Sequence, residues 1–419
     1  MIIGERKFVF FDFLSLLSLL TCMGLSYNVS EEVNEMKKAF KTEILLSDKQ
    51  RVKVHQTIGV CRYVYNLYLS TAQEHYKETG KHLSGYDFSK WLNHVHTKEK
   101  DFWIKDVSTK AVKQSIMNGD TAFKRFFKGL SKFPKFKKKK NQDVKAYFPK
   151  NNKTDLLIER HRIKIPTLGW VRLKEYDYIP SNIKVTSCTV SQKADRYYVS
   201  VLCETEQKQE VQMNTYDGIG VDLGIKEFAI CSHHETFPNV NKTLKVKELE
   251  KRLKRQQRKL SRSYEQNKNR KRGEFCAKNR QKQLVKVQKL YARLANIRHE
   301  YVRSVVNQLV KTKPTSITIE DLNVKGMMKN RHLSKAVSEQ NFYYFKEWLL
   351  AKCKQYGIEL RQVDRFYPSS KRCSCCGYKK VKLSLSERIF KCEPCDAELD
   401  RDFNASLNLK HATEYTVLT

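Results

Sequence analysis

The chain has 419 residues, and its 81 Lys and Arg against 45 Asp and Glu give a formal net charge of +36. Such an excess points to a polyanionic partner, most directly nucleic acid. Forty per cent hydrophobic residues over this length support two or three packed domains, which excludes a merely basic, coreless chain. Twelve cysteines would imply a disulfide framework only in a much shorter secreted protein; here five crowd between residues 373 and 395 and the rest are scattered, as suits a reducing compartment with thiols free for metal.

In chain order, the first feature is the apolar run of residues 8–25, which follows Arg6 and Lys7 in the manner of a signal peptide. Asp12 interrupts the run, which costs a membrane anchor insertion energy. Neither a secreted nor an anchored form suits a basic chain with thiol ligands. Met36 opens MKKAFKTEILLSDKQ, so the expected working start is Met36 or nearby, with residues 1–35 a mis-called start or an extension without functional role. The expected location is the cytoplasm, with no membrane partner and no obligate protein partner.

Residues 37–46 are expected to form a first strand. Ser47 or Asp48 then caps a helix carrying Val52, Ile58, Cys61, Val64 and Leu67 at helical spacing. A second helix is expected over residues 109–127. It runs into FKRFFKGLSKFPKFKKKK at 123–140, where phenylalanines and a proline are mixed with lysines. Two readings stay open: a solvated basic loop anchored by phenylalanines, or a phosphate-tracking arm in which Lys124, Arg125, Lys128, Lys135, Lys137, Lys138, Lys139 and Lys140 neutralise backbone charge while aromatics stack. Residues 144–205 read as several short strands split by Asn, Pro and Gly, hence a small barrel or sandwich.

From about Thr215 the pattern changes. GIGVDLGIKEFAICS reads as two strands joined by a turn. Residues 244–311 read as a helical pair broken near Asn267–Gly273, with Leu249, Leu253 and Leu260 on one stripe and Val287, Leu290, Leu294, Ile297, Tyr301 and Val305 on the other. SITIEDLNV is a strand ending at an acidic pair, a helix follows from about Gln340 to Tyr356, and IELRQVD is another strand. This alternation predicts an α/β core.

Cys373 and Cys376, then fifteen residues, then Cys392 and Cys395 match a zinc-ribbon template, and four thiolates complete a structural Zn(II) site, leaving Cys375 as a spare. Six residues separate Cys395 from Asp402, in a context that reads as a helix start. Asp402 joins Asp222 and Glu320 as carboxylates at element ends. Individually each has a bland reading, as a cap, a turn former or a solvated charge. Together they are what metal-assisted phosphodiester hydrolysis requires, with Mg(II) or Mn(II) on oxygen ligands.

These motifs resemble those of the TnpB (OrfB) family of insertion-sequence proteins, relatives of type V CRISPR effectors. The matching pieces are GVDLGIKEFA, IEDLNVKGMMKN, DRFYPSSKRCSCCG, LSLSERIFKC and LDRDFNASLNL, with CRYVYNLYL, AFKRFFKG and IPTLGWVRL similar to the family's N-terminal half. The resemblance covers roughly Met36 to Leu409. It implies an RNase H-like RuvC nuclease domain with an inserted zinc ribbon, preceded by a wedge β-barrel holding a helical recognition domain. On this scheme residues 36–48 are the first wedge strand, 49–135 the recognition domain, 136–214 the barrel, 215–365 the first part of the nuclease, 366–398 the ribbon and 399–419 the last nuclease helix and tail. It implies Asp222, Glu320 and Asp402 as catalytic acids, a guide RNA from the element's end and a DNA target as partners, and a nucleoid-associated location. Two features depart from the family pattern: Asp396 where glycine is usual, and the N-terminal extension. The expected activity is RNA-guided DNA cleavage. The competitors are a strand-transferring transposase and a non-catalytic nucleic-acid-binding regulator.

Overall fold

The computed structural model describes residues 35–139, 145–150, 152–206, 217–266, 268, 278–384 and 386–418. The apolar run at 8–25, Lys140 and the expected break at Asn267–Gly273, apart from Lys268, therefore lie outside the described residues.

The first half builds one seven-stranded sheet and a helical layer. β1 (Glu35–Leu45) is followed by β2 (Lys145–Pro149), β3 (Ile158–Glu159), β4 (Arg162–Ile165), β5 (Gly169–Leu173), β6 (Lys184–Lys193) and β7 (Arg196–Glu206), in the spatial order β2-β6-β7-β1-β5-β4-β3. A single core gathers side chains from both ends of that order, Phe148 of β2 and Ile163 and Ile165 of β4 included, so the sheet curls about its own interior. Between β1 and β2 run α1 (Asp48–Thr79), α2 (Gly85–Trp91) and α3 (Thr109–Phe127). Ser47 starts α1 with a capping box: its hydroxyl accepts from the Gln50 amide at 3.3 Å and its own amide donates to Gln50 Oε1 at 3.0 Å. The buried stripe of α1 runs through Val54, Ile58, Val60, Val64, Tyr68 and Leu69. Val52, expected on that stripe, is 57% exposed, because the face is set two residues later by contact with α3 and the sheet.

The second half is a mixed sheet. β8 (Ile219–Leu223), β9 (Glu227–Cys231), β10 (Thr236–Pro238), β11 (Ser316–Glu320), β12 (Glu359–Val363) and β15 (Thr416–Leu418) lie in the order β10-β9-β8-β11-β12-β15. β8, β11 and β12 are parallel; the flanking pairs are antiparallel. The two parallel neighbours are joined by α4 (Leu244–Gln266) and α5 (Lys278–Lys311), whose leucine and valine stripes pack together at Leu249, Leu253, Leu290 and Leu294. The C-terminal half of α5 buries Val302, Val305, Val306 and Leu309 on the sheet. The helix expected from Gln340 begins at Phe342: Asn341, at φ 58°, separates it from a short helix at Ser334–Gln340, and it continues as α6 (Phe342–Tyr356). A two-stranded ribbon, β13 (Ile389–Lys391) and β14 (Glu398–Asp400), leads into α7 (Arg401–Lys410), which packs on β8, β9 and β11. Among the described residues no helix is long and apolar enough to cross a membrane.

Candidate active site and metal centre

Parallel strands open a crevice beyond their carboxyl ends, and two of the expected acids stand there. Ile319 of β11 is in register with Val221 of β8, so Glu320 and Asp222 are the next residue on each strand. Asp402 arrives from α7. The helix start expected at Asp402 lies two residues earlier: Asp400 is the N-cap, its carboxylate accepting from the amides of Asp402 and Phe403 at 3.0 Å each. Relieved of capping, the Asp402 carboxylate joins Asp222 and Glu320 in lining one cavity of about 510 Å³, whose wall also includes Lys226, Lys371, Arg388 and Arg401.

Burial first, then the charges of Glu320 and Asp402, hold the Asp222 carboxyl well above the usual carboxylate range, with Arg401 opposing. Burial also raises Glu320, while a hydrogen bond from the Ser369 hydroxyl works against it. Arg401 pairs with Asp402 through Nε at 3.0 Å and Nη2 at 2.9 Å, and Arg388 of the ribbon lies 3.6 Å from its other oxygen. Acidic oxygens ringed by cations suit a phosphodiester with bound divalent ions: the cations meet phosphate and the hard oxygen donors meet Mg(II) or Mn(II).

Residues outside the expected set fasten this site. Ser369 is 5% exposed and its hydroxyl donates to Glu320. Asn408 Nδ2 donates to the Ser369 carbonyl at 2.7 Å and the Arg372 carbonyl at 2.6 Å; one turn earlier, Asn404 donates to Arg372 and accepts from the Ser374 amide at 3.0 Å. The signal was the pair of asparagines four apart in DRDFNASLNL, which share a helix face and have no reason to be buried there without partners.

In the ribbon, the sulfur atoms of Cys373, Cys376, Cys392 and Cys395 lie within 4.8 Å of one another, the only such ligand cluster among the described residues. Cys373 and Cys395 are 3.6 Å apart and Cys376 and Cys392 3.5 Å. A tetrahedron with Zn–S bonds of about 2.3 Å has edges of about 3.8 Å, so the four sulfurs fit zinc. Burial raises the Cys373 thiol, but the amides of Cys376 and Cys375 and hydrogen bonds from Cys392 and Cys395 together lower it to about 7; burial pushes Cys392 up to about 12. Cys375 is exposed and outside the cluster. Each knuckle closes on a left-handed residue, Gly377 at φ 78° and Asp396 at φ 53°. A glycine is therefore favoured at 396, and aspartate is among the few side chains that tolerate that geometry.

The basic arm divides. Lys124 pairs with buried Asp120 at 2.7 Å. Lys137 is fastened to α1: its amide donates to Asn66 Oδ1 at 2.8 Å, its carbonyl accepts from Asn66 Nδ2 at 3.0 Å, and its ammonium sits 3.8 Å from the Tyr65 ring centroid. Lys135, Lys137 and Lys138 line a groove of about 1160 Å³ with Phe136, Tyr147 and Lys145, while Arg125, Lys128 and Lys139 are on the exposed surface. Phe123 is buried and Phe133 packs edge-on against Phe123 and Phe126, so anchoring phenylalanines and presented lysines occur in the same segment.

Three family models match the chain. One described as "Probable transposase" (OrfB of IS605) covers residues 200–331, a Cas12f1-like TNB domain covers 342–409, and the helix-turn-helix domain of the same OrfB family covers 36–81. A protein of Escherichia coli K12 named "Putative RNA-guided DNA endonuclease InsQ" is 29% identical over 89% of this chain and 91% of its own length. A similarly named protein of Streptomyces pristinaespiralis is 29% identical over 90% of this chain and 89% of its own. These matches make the chain similar to the TnpB (OrfB) family along most of its length. Its fold matches that of Cas12f1 in a complex with single guide RNA and target DNA, with a TM-score of 0.59 over 91% of this chain and 100% of that one at 14% identity. Here residues 36–81 fold as most of β1 and one continuous helix, α1, rather than as helix-turn-helix.

Proposed function

We propose that this protein is an RNA-guided DNA endonuclease that hydrolyses phosphodiester bonds with Asp222, Glu320 and Asp402. The observation that carries the reading is the convergence of these three acids, from β8, β11 and α7, on one cation-rimmed cavity. On this reading residues 215–365 and 399–419 form a RuvC-like, RNase H-type nuclease, 366–398 its zinc ribbon, 36–48 and 136–214 a wedge barrel, and 49–135 the recognition domain.

Asp222, Glu320 and Asp402 would hold Mg(II) or Mn(II), which supplies Lewis acidity and an activated water. Lys226, Lys371 and Arg388 orient the strand through its phosphates, and Arg401, paired with Asp402, adds positive charge to the same wall. Lys135, Lys138 and Lys139 bind nucleic-acid backbone. The partners are a guide RNA from the element's end and a matched DNA target.

The test is to express the chain with its flanking DNA, sequence the RNA that copurifies, and offer a duplex matched to that RNA. Joined DNA ends, instead of cut ones, would indicate strand transfer; specific binding without either product would indicate a regulator.

A further inference from the structure

We propose that Ser369 is the positioning residue of the carboxylate site: its hydroxyl, held in place by Asn408, aims the Glu320 carboxylate into the cavity shared with Asp222. The inference rests on the reading that these acids hold divalent metal.

Glu320 ends an edge of the crevice, and the segment after β11 turns away, so nothing on its own strand fixes its carboxylate. Among the described residues the side chain that holds it is Ser369, 49 residues on, whose hydroxyl donates to Oε1. That leaves Oε2 for a ligand. Ser369 is itself immobilised at both ends: its amide donates to the Tyr367 carbonyl at 2.9 Å, and its carbonyl accepts from Asn408 at 2.7 Å. With 5% exposure, Ser369 and Asn408 are shielded from competing water.

Asn408 belongs to α7, the helix that carries Asp402. One helix therefore fixes Asp402 directly and Glu320 through Ser369. The same segment runs on into Cys373, with Asn404 holding the Ser374 amide at 3.0 Å. The strap thus ties the ribbon, the last helix and β11 into one frame. A hydroxyl behind a ligating carboxylate fixes which oxygen faces the metal, and loss of such outer partners commonly weakens metal affinity about 10–100-fold.

The experiment is a Mn(II) titration of the full chain, followed by electron paramagnetic resonance of the free ion, for wild type, Ser369→Ala, Ser369→Thr and Glu320→Ala. Ser369→Ala is expected to weaken the tightest Mn(II) site about tenfold and Ser369→Thr, which keeps the hydroxyl, to restore it to within about threefold. Zinc content is expected to stay unchanged in both, and Glu320→Ala to lose the site. In cleavage, Ser369→Ala is expected to need about tenfold more Mn(II) for half-maximal rate, with the maximal rate largely recovered. Wild-type Mn(II) affinity in Ser369→Ala, alongside loss in Glu320→Ala, would overturn the role of Ser369 and leave the metal reading standing. Wild-type affinity in Glu320→Ala would overturn both.

Discussion

Gly220 of β8 lies directly beneath Ser406 of α7: a Cβ on Gly220 would sit 1.9 Å from the Ser406 carbonyl oxygen and 2.4 Å from the Lys410 amide nitrogen. The closeness has a consequence two residues along the strand. Residues 220 and 222 face the same side of β8. Two strand residues span about 6.6 Å and four helix residues about 6 Å, so the helix that rests on Gly220 at Ser406 brings Asp402 over Asp222.

Gly220→Ala is therefore expected to lift α7 and separate the acids. The overlap is with backbone, which cannot swing aside, so a cost of about 1–3 kcal/mol is expected. Cleavage should fall at least tenfold while nucleic-acid binding holds. A Gly220→Ala protein that cuts at the wild-type rate would show that the helix need not touch the strand.

Asp222 contributes a pH dependence of its own. Its folded pKa is raised above the unfolded value, so the folded chain binds more protons there than the unfolded chain. That contribution is fully present below the unfolded value, about 3.9, and is lost as pH rises through the folded value. In chelator, the Asp222 contribution to the melting temperature is expected to fall across that window. Asp222→Asn should flatten the fall and melt higher than wild type at neutral pH, while abolishing cleavage. Differential scanning calorimetry across pH, with and without Mg(II), checks both; equal melting curves for the two proteins in chelator would contradict it.

Much of this site was legible because its residues carry chemistry in short motifs. GVDLG and ITIED placed acids at strand ends, and the cysteine spacing picked out the four sulfurs that cluster. The second-half elements followed from clear apolar runs. What stayed hidden was tertiary. The α1 stripe shifted from Val52 to Val54 because its face is set by α3, 55 or more residues away in sequence. Three-residue β15 is too short to have a pattern of its own and exists as an edge to β12. Ser369 was silent because a serine becomes informative only when its carboxylate partner, 49 residues distant, is known. Gly220 read as one more glycine until the helix above it was in view.

Zinc is expected at about one per chain by elemental analysis of the purified protein. The ribbon has a small core, chiefly Phe390 with Cys373 and Cys392, so a bound zinc would supply much of its folding energy. Cys392→Ser with Cys395→Ser should lose the ion and expose the 373–395 segment to proteolysis. Cys375→Ser should keep it. Full zinc in the double variant would remove these cysteines from the site.

The basic arm separates into fastened and presented charges. Replacing Lys135, Lys138 and Lys139 with Ala should reduce the slope of log affinity against log salt by up to about 3, roughly one for each lost phosphate contact, without changing sequence preference. Lys137→Ala should instead loosen the arm from α1, because Lys137 packs on Tyr65. Filter binding over a salt series distinguishes them; an unchanged slope in the triple variant would make that stretch a solvated loop.

The most direct test of the central claim is cleavage of an RNA-matched DNA duplex by the copurified protein–RNA complex in Mg(II), run beside Asp222→Ala, Glu320→Ala and Asp402→Ala. Loss of bound metal should remove several kcal/mol of transition-state stabilisation, so each variant should be slower by on the order of a thousandfold while binding the same duplex as tightly as wild type. Wild-type cleavage in any one of the three would contradict a shared carboxylate site, and no cleavage by the wild-type complex would contradict the nuclease itself.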